Sequence, residues 1–374
     1  MTAEYGHTSF DAAFVRGDVY GVQHDQERAT KRRLSLAIAG CGGVAQAKWL
    51  PAIRRLQTIG EPIDLFGAVD PREAARQKVG SLWSTRTFPS LTALLEAGKP
   101  DLVLVTAADE AHGPIAREAI RGGVACLVEK PLTRSSSEAH DLCELADQSG
   151  VLLAGVANKR FSPPYALAKE IVRAGELKGP PQLFQGKFTL GYPYVDILES
   201  GTVHLIDLAL WFMGPATRVH AVGTFSSRGA ARKLESAILS LTFASGSIGS
   251  IMTSAAALSF KPWERVEIFG RNAMLIVDDQ FDLTLYDDEI GPAKSWKPAV
   301  PNTLMFDESF GGYAGLLEHV LDAVRGSVTL SSTGRDAAAA VELIEATKIS
   351  IETGASVDLP IDASRRRILS EKTS

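Results

Sequence analysis

The segment Leu34-Ser35-Leu36-Ala37-Ile38-Ala39 runs directly into Gly40-Cys41-Gly42-Gly43-Val44-Ala45, an apolar strand that ends in G-x-G-x-x-A. Few features constrain a chain as tightly, because each small residue meets a separate steric demand. Gly40 permits the tight turn out of the strand, Gly42 lets a pyrophosphate approach the backbone, and Ala45 lets the following helix pack closely on the strand. Gly43 and Val44 open that helix, whose first N–H groups and partial positive charge face the phosphates. Gly40, Gly42, Gly43, Val44 and Ala45 are therefore expected to line a dinucleotide site. Taken alone, the motif also suits a glycine-rich turn with no ligand, so the surrounding pattern has to decide.

The next strand ends at Val69 and is followed at once by Asp70, a carboxylate suited to accept hydrogen bonds from the adenosine ribose. An aspartate there repels a 2′-phosphate, which favours NAD(H). Arg72 acts the other way, since a nearby guanidinium accommodates that phosphate, and NADP(H) stays the alternative. Asp70 equally reads as the N-cap of a helix beginning at Pro71, which is compatible with ribose binding.

From Leu34 onward, buried-strand runs at 34–39, 63–69, 101–106, 124–129 and 151–156 alternate with helical stretches at 44–57, 71–80, 90–97, 111–121 and 135–149. Parallel strands need crossover connections, so this alternation predicts a doubly wound α/β unit, a Rossmann domain, over residues 34–157. Beyond it come helices at 163–174 and 199–213, and then strands at 182–190, 218–225, 236–243, 247–254, 264–269, 273–277 and 283–286. Short turns such as Ala244-Ser245-Gly246-Ser247 join several of them, so residues 158–360 are expected to form an α+β domain with a large, mostly antiparallel sheet. Helices near 313–325 and 335–352 close that domain. Residues 1–33, ending in Lys31-Arg32-Arg33, read as an extension with no assigned function, and 361–374 as a tail.

A chain of 374 residues exceeds what one hydrophobic core usually supports, which agrees with two domains. A net charge of -5 with interspersed signs gives no basic stripe, so nucleic acid is not an expected partner. Cys41, Cys126 and Cys143 are too few and too scattered for a disulfide framework or a zinc site, and no metal is expected. No run approaches the roughly 18 apolar residues that span a bilayer, and the N-terminus lacks a secretory pattern, so the expected location is cytoplasmic and away from membranes.

Two further elements fall at predicted strand ends: Thr106-Ala107-Ala108-Asp109-Glu110-Ala111-His112, and Glu129-Lys130-Pro131. Carboxyl ends of parallel strands open into the ligand crevice, and the proline restricts the backbone of Lys130. With Asn158-Lys159-Arg160-Phe161, the order and spacing of these motifs resemble the glucose-fructose oxidoreductase, inositol dehydrogenase and MocA (Gfo/Idh/MocA) family over roughly residues 34–360. The resemblance implies an NAD(P)-dependent dehydrogenase or reductase acting on a sugar, amino sugar or cyclitol. It places Thr106, Ala107, His112, Glu129 and Lys130 at the cofactor, with Lys130 beside the nicotinamide and the reacting hydroxyl. It also implies a cis bond before Pro131 and an open sheet face that joins subunits into a homodimer or homotetramer.

The family's second element, D-x-G-x-H-x-x-D, is matched by Ser200-Gly201-Thr202-Val203-His204-Leu205-Ile206-Asp207, with serine and threonine where the family has aspartate and glycine. On a regular helix Ser200, His204, Asp207 and Trp211 share one face. A serine cannot carry the missing negative charge, so Asp196 or Glu199 are the alternative acidic neighbours. His204 is the expected base and Lys130 the group that stabilises an alkoxide. Ser200 and Asp207 join them as expected substrate contacts, together with Lys159, Arg160 and Tyr194. Two other readings share the same resemblance: a dinucleotide-binding regulator without turnover, and an NAD-assisted glycosidase.

Overall fold

The computed structural model describes residues 8–9, 30–189, 196–226, 233–256, 261–291, 293–298 and 307–362. The chain divides into two units, neither of them continuous in sequence: one joins 20–161 with 303–341, the other joins 1–19, 162–302 and 342–374.

In the first unit six strands lie in the order Arg86–Phe88, Ile63–Val69, Leu34–Ala39, Leu102–Val105, Ala125–Val128, Leu153–Gly155, and every pairing is parallel. Leu34–Ala39 is central and the chain winds outward from it in both directions, so the crevice opens at its carboxyl end. The short edge strand Arg86–Phe88 was not anticipated, because three partly exposed residues give no apolar run. Serine side chains start two of the crossover helices: Ser90 Oγ accepts from the Ala93 amide and Ser135 Oγ from the Glu138 amide, each at 3.2 Å.

This unit takes in residues 303–341 as well as the front segment. Helix Tyr313–Arg325 buries Leu316, Leu317, Val320 and Leu321 in the same cluster as Leu36, Ile38, Trp49, Ile53 and Leu56. Asn158 Nδ2 donates to the Gly311 carbonyl at 2.6 Å, tying the end of the front segment to the returning one. The apolar face that completes one side of the Rossmann core is thus supplied from far downstream, where no local pattern connects it to the sheet.

The basic cluster at the start of the described chain is structural. Lys31 pairs with Asp322 at 2.9 Å, Arg32 with Asp101 at 2.7 Å and Arg33 with Asp64 at 3.0 Å. Beneath them the Glu61 side chain, 0% exposed, meets Arg325, 6% exposed, at 2.6 Å.

The second unit holds a ten-stranded sheet in the order Thr8–Ser9, Lys294–Trp296, Asp282–Tyr286, Met274–Asp278, Glu264–Phe269, Leu183–Thr189, Ile248–Ser254, Leu234–Phe243, Ala216–Phe225, Val357–Asp358. Pairing is antiparallel except between Thr8–Ser9 and Lys294–Ser295 and between Leu183–Thr189 and Ile248–Ser254. One face is apolar and covered: Val219, Ala221, Leu239, Leu241, Ile251, Phe184, Val266 and Ile268 are buried. The alternate positions form the other face, where Val222, Ile238 and Met252 are in register across three strands and each is about half exposed. Helix Gly334–Thr353 contributes residues to both units, and from Glu342 onward it serves the second, where Ser350 Oγ accepts from the Ala221 amide at 2.8 Å. No described helix is long and apolar enough to cross a membrane.

Arg325→Met leaves the buried Glu61 carboxylate without its closest cation, and losing one partner of a buried pair costs about 3 kcal/mol or more. The urea midpoint of the variant is expected to fall accordingly. Arg33→Met, at an exposed pair, is expected to change it by less than about 1 kcal/mol.

Candidate active site

Gly40 leaves the central strand with φ +108°, and a Cβ placed on it would lie 2.4 Å from the Ala107 nitrogen. Only glycine allows that approach. The strand ends are then tied together: the Gly40 amide donates to the Val69 carbonyl at 2.8 Å and Thr106 Oγ1 donates to the Gly40 carbonyl at 2.7 Å. At Gly42 and Gly43 an added Cβ would meet nothing within 4 Å. The space in front of the helix start is therefore open, with Gly43 and Val44 exposed beside it and Ala45 packed in the core. This open, amide-lined turn fits a dinucleotide pyrophosphate.

The helix after the turn differs from the regular one expected over 44–57. Residues Ala45–Trp49 form a wide π turn, closed by the Leu50 amide on the Ala45 carbonyl, and the regular helix starts at Leu50. Pro51 has no N–H to bond the Ala47 carbonyl, which removes the donor that would continue regular pairing. The turn aims Trp49 inward. Its Nε1 donates to Glu129 Oε1 at 2.7 Å, and its ring meets Tyr313 edge-on at 5.1 Å.

Asp70 sits at the next strand end with a buried side chain. Its Oδ2 accepts from the Cys41 amide at 2.9 Å and its Oδ1 from the Arg72 amide at 2.9 Å, while the Arg72 guanidinium donates at 3.0 and 3.1 Å. Burial would raise the Asp70 carboxyl, but Arg72 and the two amides outweigh it and hold it below the usual carboxylate value. Burial, assisted by the Asp70 charge, pushes the Cys41 thiol up to about 12. Cys41 is therefore a protonated packing residue, and Cys126 and Cys143 are likewise free and buried.

Glu129 is 4% exposed and folds back on its own turn: Oε1 takes the Trp49 N–H and Oε2 the Lys130 amide at 2.9 Å. The Lys130–Pro131 peptide is cis. On the far side of the lysine, His112 Nδ1 donates to the Pro131 carbonyl at 2.7 Å, and its Nε2 lies 3.2 Å from the Ala107 carbonyl. The buried His112 ring thus bridges the Ala107 and Pro131 carbonyls, and Glu129 braces the lysine turn. Arg160 is buried as well, with Nη1 donating to the Ser331 carbonyl at 2.8 Å, so its guanidinium holds the returning segment.

In the second unit the helix expected over 199–213 divides. Leu198–Thr202 is a wide π turn and Val203–Met213 is regular. The shared face holds for His204, Asp207 and Trp211, but Ser200 lies in the turn, where i→i+5 bonding replaces the spacing that the expectation assumed. Ser200 Oγ donates to the Asp196 carbonyl at 2.5 Å. Asp196 Oδ1 caps the turn by accepting from the Leu198 and Glu199 amides at 2.9 and 3.1 Å, and Lys348 bonds Glu199. Of the two carboxylates suggested as acidic neighbours, Asp196 therefore builds the helix start and Glu199 is paired with Lys348. Thr202, in the family's glycine position, is fully buried, and its hydroxyl bonds Ile197 O and Thr253 Oγ1, each at 2.8 Å. Tyr194 lies outside the described residues. Among the described residues, no group of three or more His, Cys, Asp or Glu side chains could hold a metal ion.

Trp49 and Lys348 are the two residues that sequence reasoning missed. Their partners are distant in the chain, and neither follows a motif.

Asp70→Asn tests the charge at the strand end. The folded carboxyl is depressed, so its stabilisation is present above the unfolded value and is lost as pH falls through the folded one. The gap in melting temperature between parent and variant is expected to be widest near neutrality and to shrink as pH drops below about 4. A gap that does not change with pH would exclude the ion pair as its source.

Residues 34–156 match an oxidoreductase family with an NAD-binding Rossmann fold, GFO_IDH_MocA, and residues 165–276 match the GFO/IDH/MocA C-terminal domain. The chain is 25% identical to a D-apiose dehydrogenase of Paraburkholderia graminis, over 88% of this chain and 91% of that one. It is 25% identical to a scyllo-inositol 2-dehydrogenase (NAD(+)) of Bacillus subtilis, over 82% and 89% respectively. A levoglucosan dehydrogenase solved with NADH superposes with TM-score 0.80 at 15% identity, over 88% of this chain and all of that one, a likeness of fold. With both halves matched and the glycine turn, Asp70 and the Glu129-Lys130-Pro131 element at the ends of one parallel sheet, this chain belongs to the Gfo/Idh/MocA family of NAD-binding oxidoreductases.

Proposed function

We propose that this chain is an NAD-dependent dehydrogenase or reductase that moves a hydride between the nicotinamide and a CH–OH carbon of a sugar, amino sugar or cyclitol. The observation that supports it most is that the open turn at Gly42–Gly43, the charged Asp70 and the braced Lys130 all belong to the carboxyl ends of one parallel sheet. The relatives act on the same substrate class: apiose, an inositol and levoglucosan in the three just named. When bound, NAD supplies the hydride acceptor. The chain supplies the rest: amides and Asp70 hold the dinucleotide, the Lys130 ammonium stabilises the alkoxide as it forms, and His204 takes the hydroxyl proton. In the reducing direction the same groups act in reverse.

A homo-oligomer, dimer or tetramer, belongs to this proposal and draws on the half-exposed apolar row Val222, Ile238 and Met252. A cytoplasmic location belongs to it too, supported by three free buried thiols. One observation favours a second reading, a binder that senses the dinucleotide without turning it over: Ser200 and Thr202 replace the family's aspartate and glycine.

A panel of aldoses, amino sugars, keto sugars and inositols separates the two, because a pure binder takes up NADH yet reduces no NAD+ on any of them. With the best substrate, Lys130→Met and His204→Gln are each expected to slow single-turnover hydride transfer at least about 100-fold. Parent-like rates in both variants would remove them from the chemistry.

A further inference from the structure

Lys130 has no secondary structure of its own to hold it. It lies after the last residue of strand Ala125–Val128, in a turn, and side chains of His112 and Glu129 bond the backbone on either side of it. Behind it, His112 Nδ1 holds the Pro131 carbonyl at 2.7 Å. Ahead of it, the Lys130 amide donates to Glu129 Oε2 at 2.9 Å, which fixes the peptide only as firmly as the Glu129 carboxylate itself is fixed. That carboxylate is 4% exposed and attached through rotatable bonds, so its orientation depends on the donor at its other oxygen. The donor is the Trp49 indole N–H at 2.7 Å, from a side chain that is 0% exposed.

The indole is itself tightly placed. It projects from the wide turn Ala45–Trp49, directly behind the glycines of the cradle, and Tyr313 closes on it edge-on at 5.1 Å from the returning helix. Burial, together with the charge of Glu129, drives the Tyr313 phenol far above its ordinary value, so it stays neutral beside the carboxylate. A buried carboxylate bond to a neutral donor is worth more than an ordinary hydrogen bond, and deleting the donor leaves the charge underpaired.

We infer that Trp49 is a positioning residue for Lys130, acting through Glu129: the helix that starts at the dinucleotide cradle also aims the lysine. The inference rests on the assignment of Lys130 to the chemistry, and it adds a residue that no motif contains.

Trp49→Phe keeps an aromatic ring in the core and removes the N–H donor together with part of the indole volume. In the otherwise unaltered enzyme it is expected to slow single-turnover hydride transfer about tenfold, with NADH affinity by calorimetry unchanged within about twofold. The decisive comparison is Trp49→Phe in a Lys130→Met background, where the loss should vanish because the lysine it positions is gone. An equal loss in both backgrounds, or none in the parent, overturns the inference while leaving the role of Lys130 intact. A parent-like rate for Lys130→Met alone overturns that role and the inference with it. A second readout needs no turnover: in crystals of Trp49→Phe with NADH, the Glu129 carboxylate should rotate and Lys130 Nζ should move by about 1 Å or more, the scale at which positioning matters. An unmoved lysine refutes the claim.

Discussion

The contact on which the rest depends lies between two stretches of backbone, with no side chain involved. Gly40 leaves its strand so close to the Thr106–Ala107 peptide that a single added carbon would lie 2.4 Å from a main-chain nitrogen. That contact brings the carboxyl ends of neighbouring parallel strands together and lets Thr106 Oγ1 bond the Gly40 carbonyl. With the strand ends locked, the next residues can open outward as an unobstructed turn, and the groups after each strand converge. Asp70, Ala107 and Lys130 each lie one or two residues beyond the carboxyl end of a different strand of one parallel sheet, the edge at which such sheets open their ligand crevice.

The two ends of the Rossmann sheet use charge differently. At the amino ends, Arg32–Asp101 and Arg33–Asp64 are solvent-exposed pairs of small energetic value, and they settle where the chain enters the sheet. Glu61 with Arg325 is the buried exception, joining the front segment to the returning helix. At the carboxyl ends Asp70 is held by two amides and the Arg72 guanidinium, whereas Glu129 is held by neutral donors, an indole and an amide. Neutral donors stabilise the Glu129 carboxylate without cancelling its charge.

The strand pattern and the glycine turn were legible in the sequence because both are local. Six residues of buried strand followed by G-x-G-x-x-A can be read in one window, and Asp70 and Lys130 follow from knowing where parallel strands end. What escaped was long-range or non-periodic. The helix Tyr313–Arg325 looks like any amphipathic helix, and nothing in its own sequence says that it completes the front core. The wide turns at Ala45–Trp49 and Leu198–Thr202 are invisible to a reading that assumes 3.6 residues per turn. The first carries Trp49, which meets Glu129; the second carries Ser200, whose hydroxyl bonds the Asp196 carbonyl.

The second wide turn also explains how the chain departs from its family's pattern without loss of structure. A glycine at 202 would remove the fully buried hydroxyl that here bonds both the Ile197 carbonyl and the Thr253 hydroxyl. Gly201, beside it, cannot grow, since a Cβ there would lie 2.2 Å from the Phe188 ring. Ser200 bonds back to the Asp196 carbonyl, and Asp196 caps the turn. The stretch 196–202 is therefore a self-consistent local structure in which an aspartate at 200 is not needed for folding. His204 and Asp207 ride on the regular helix that follows, with their spacing intact, while position 200 carries no carboxylate.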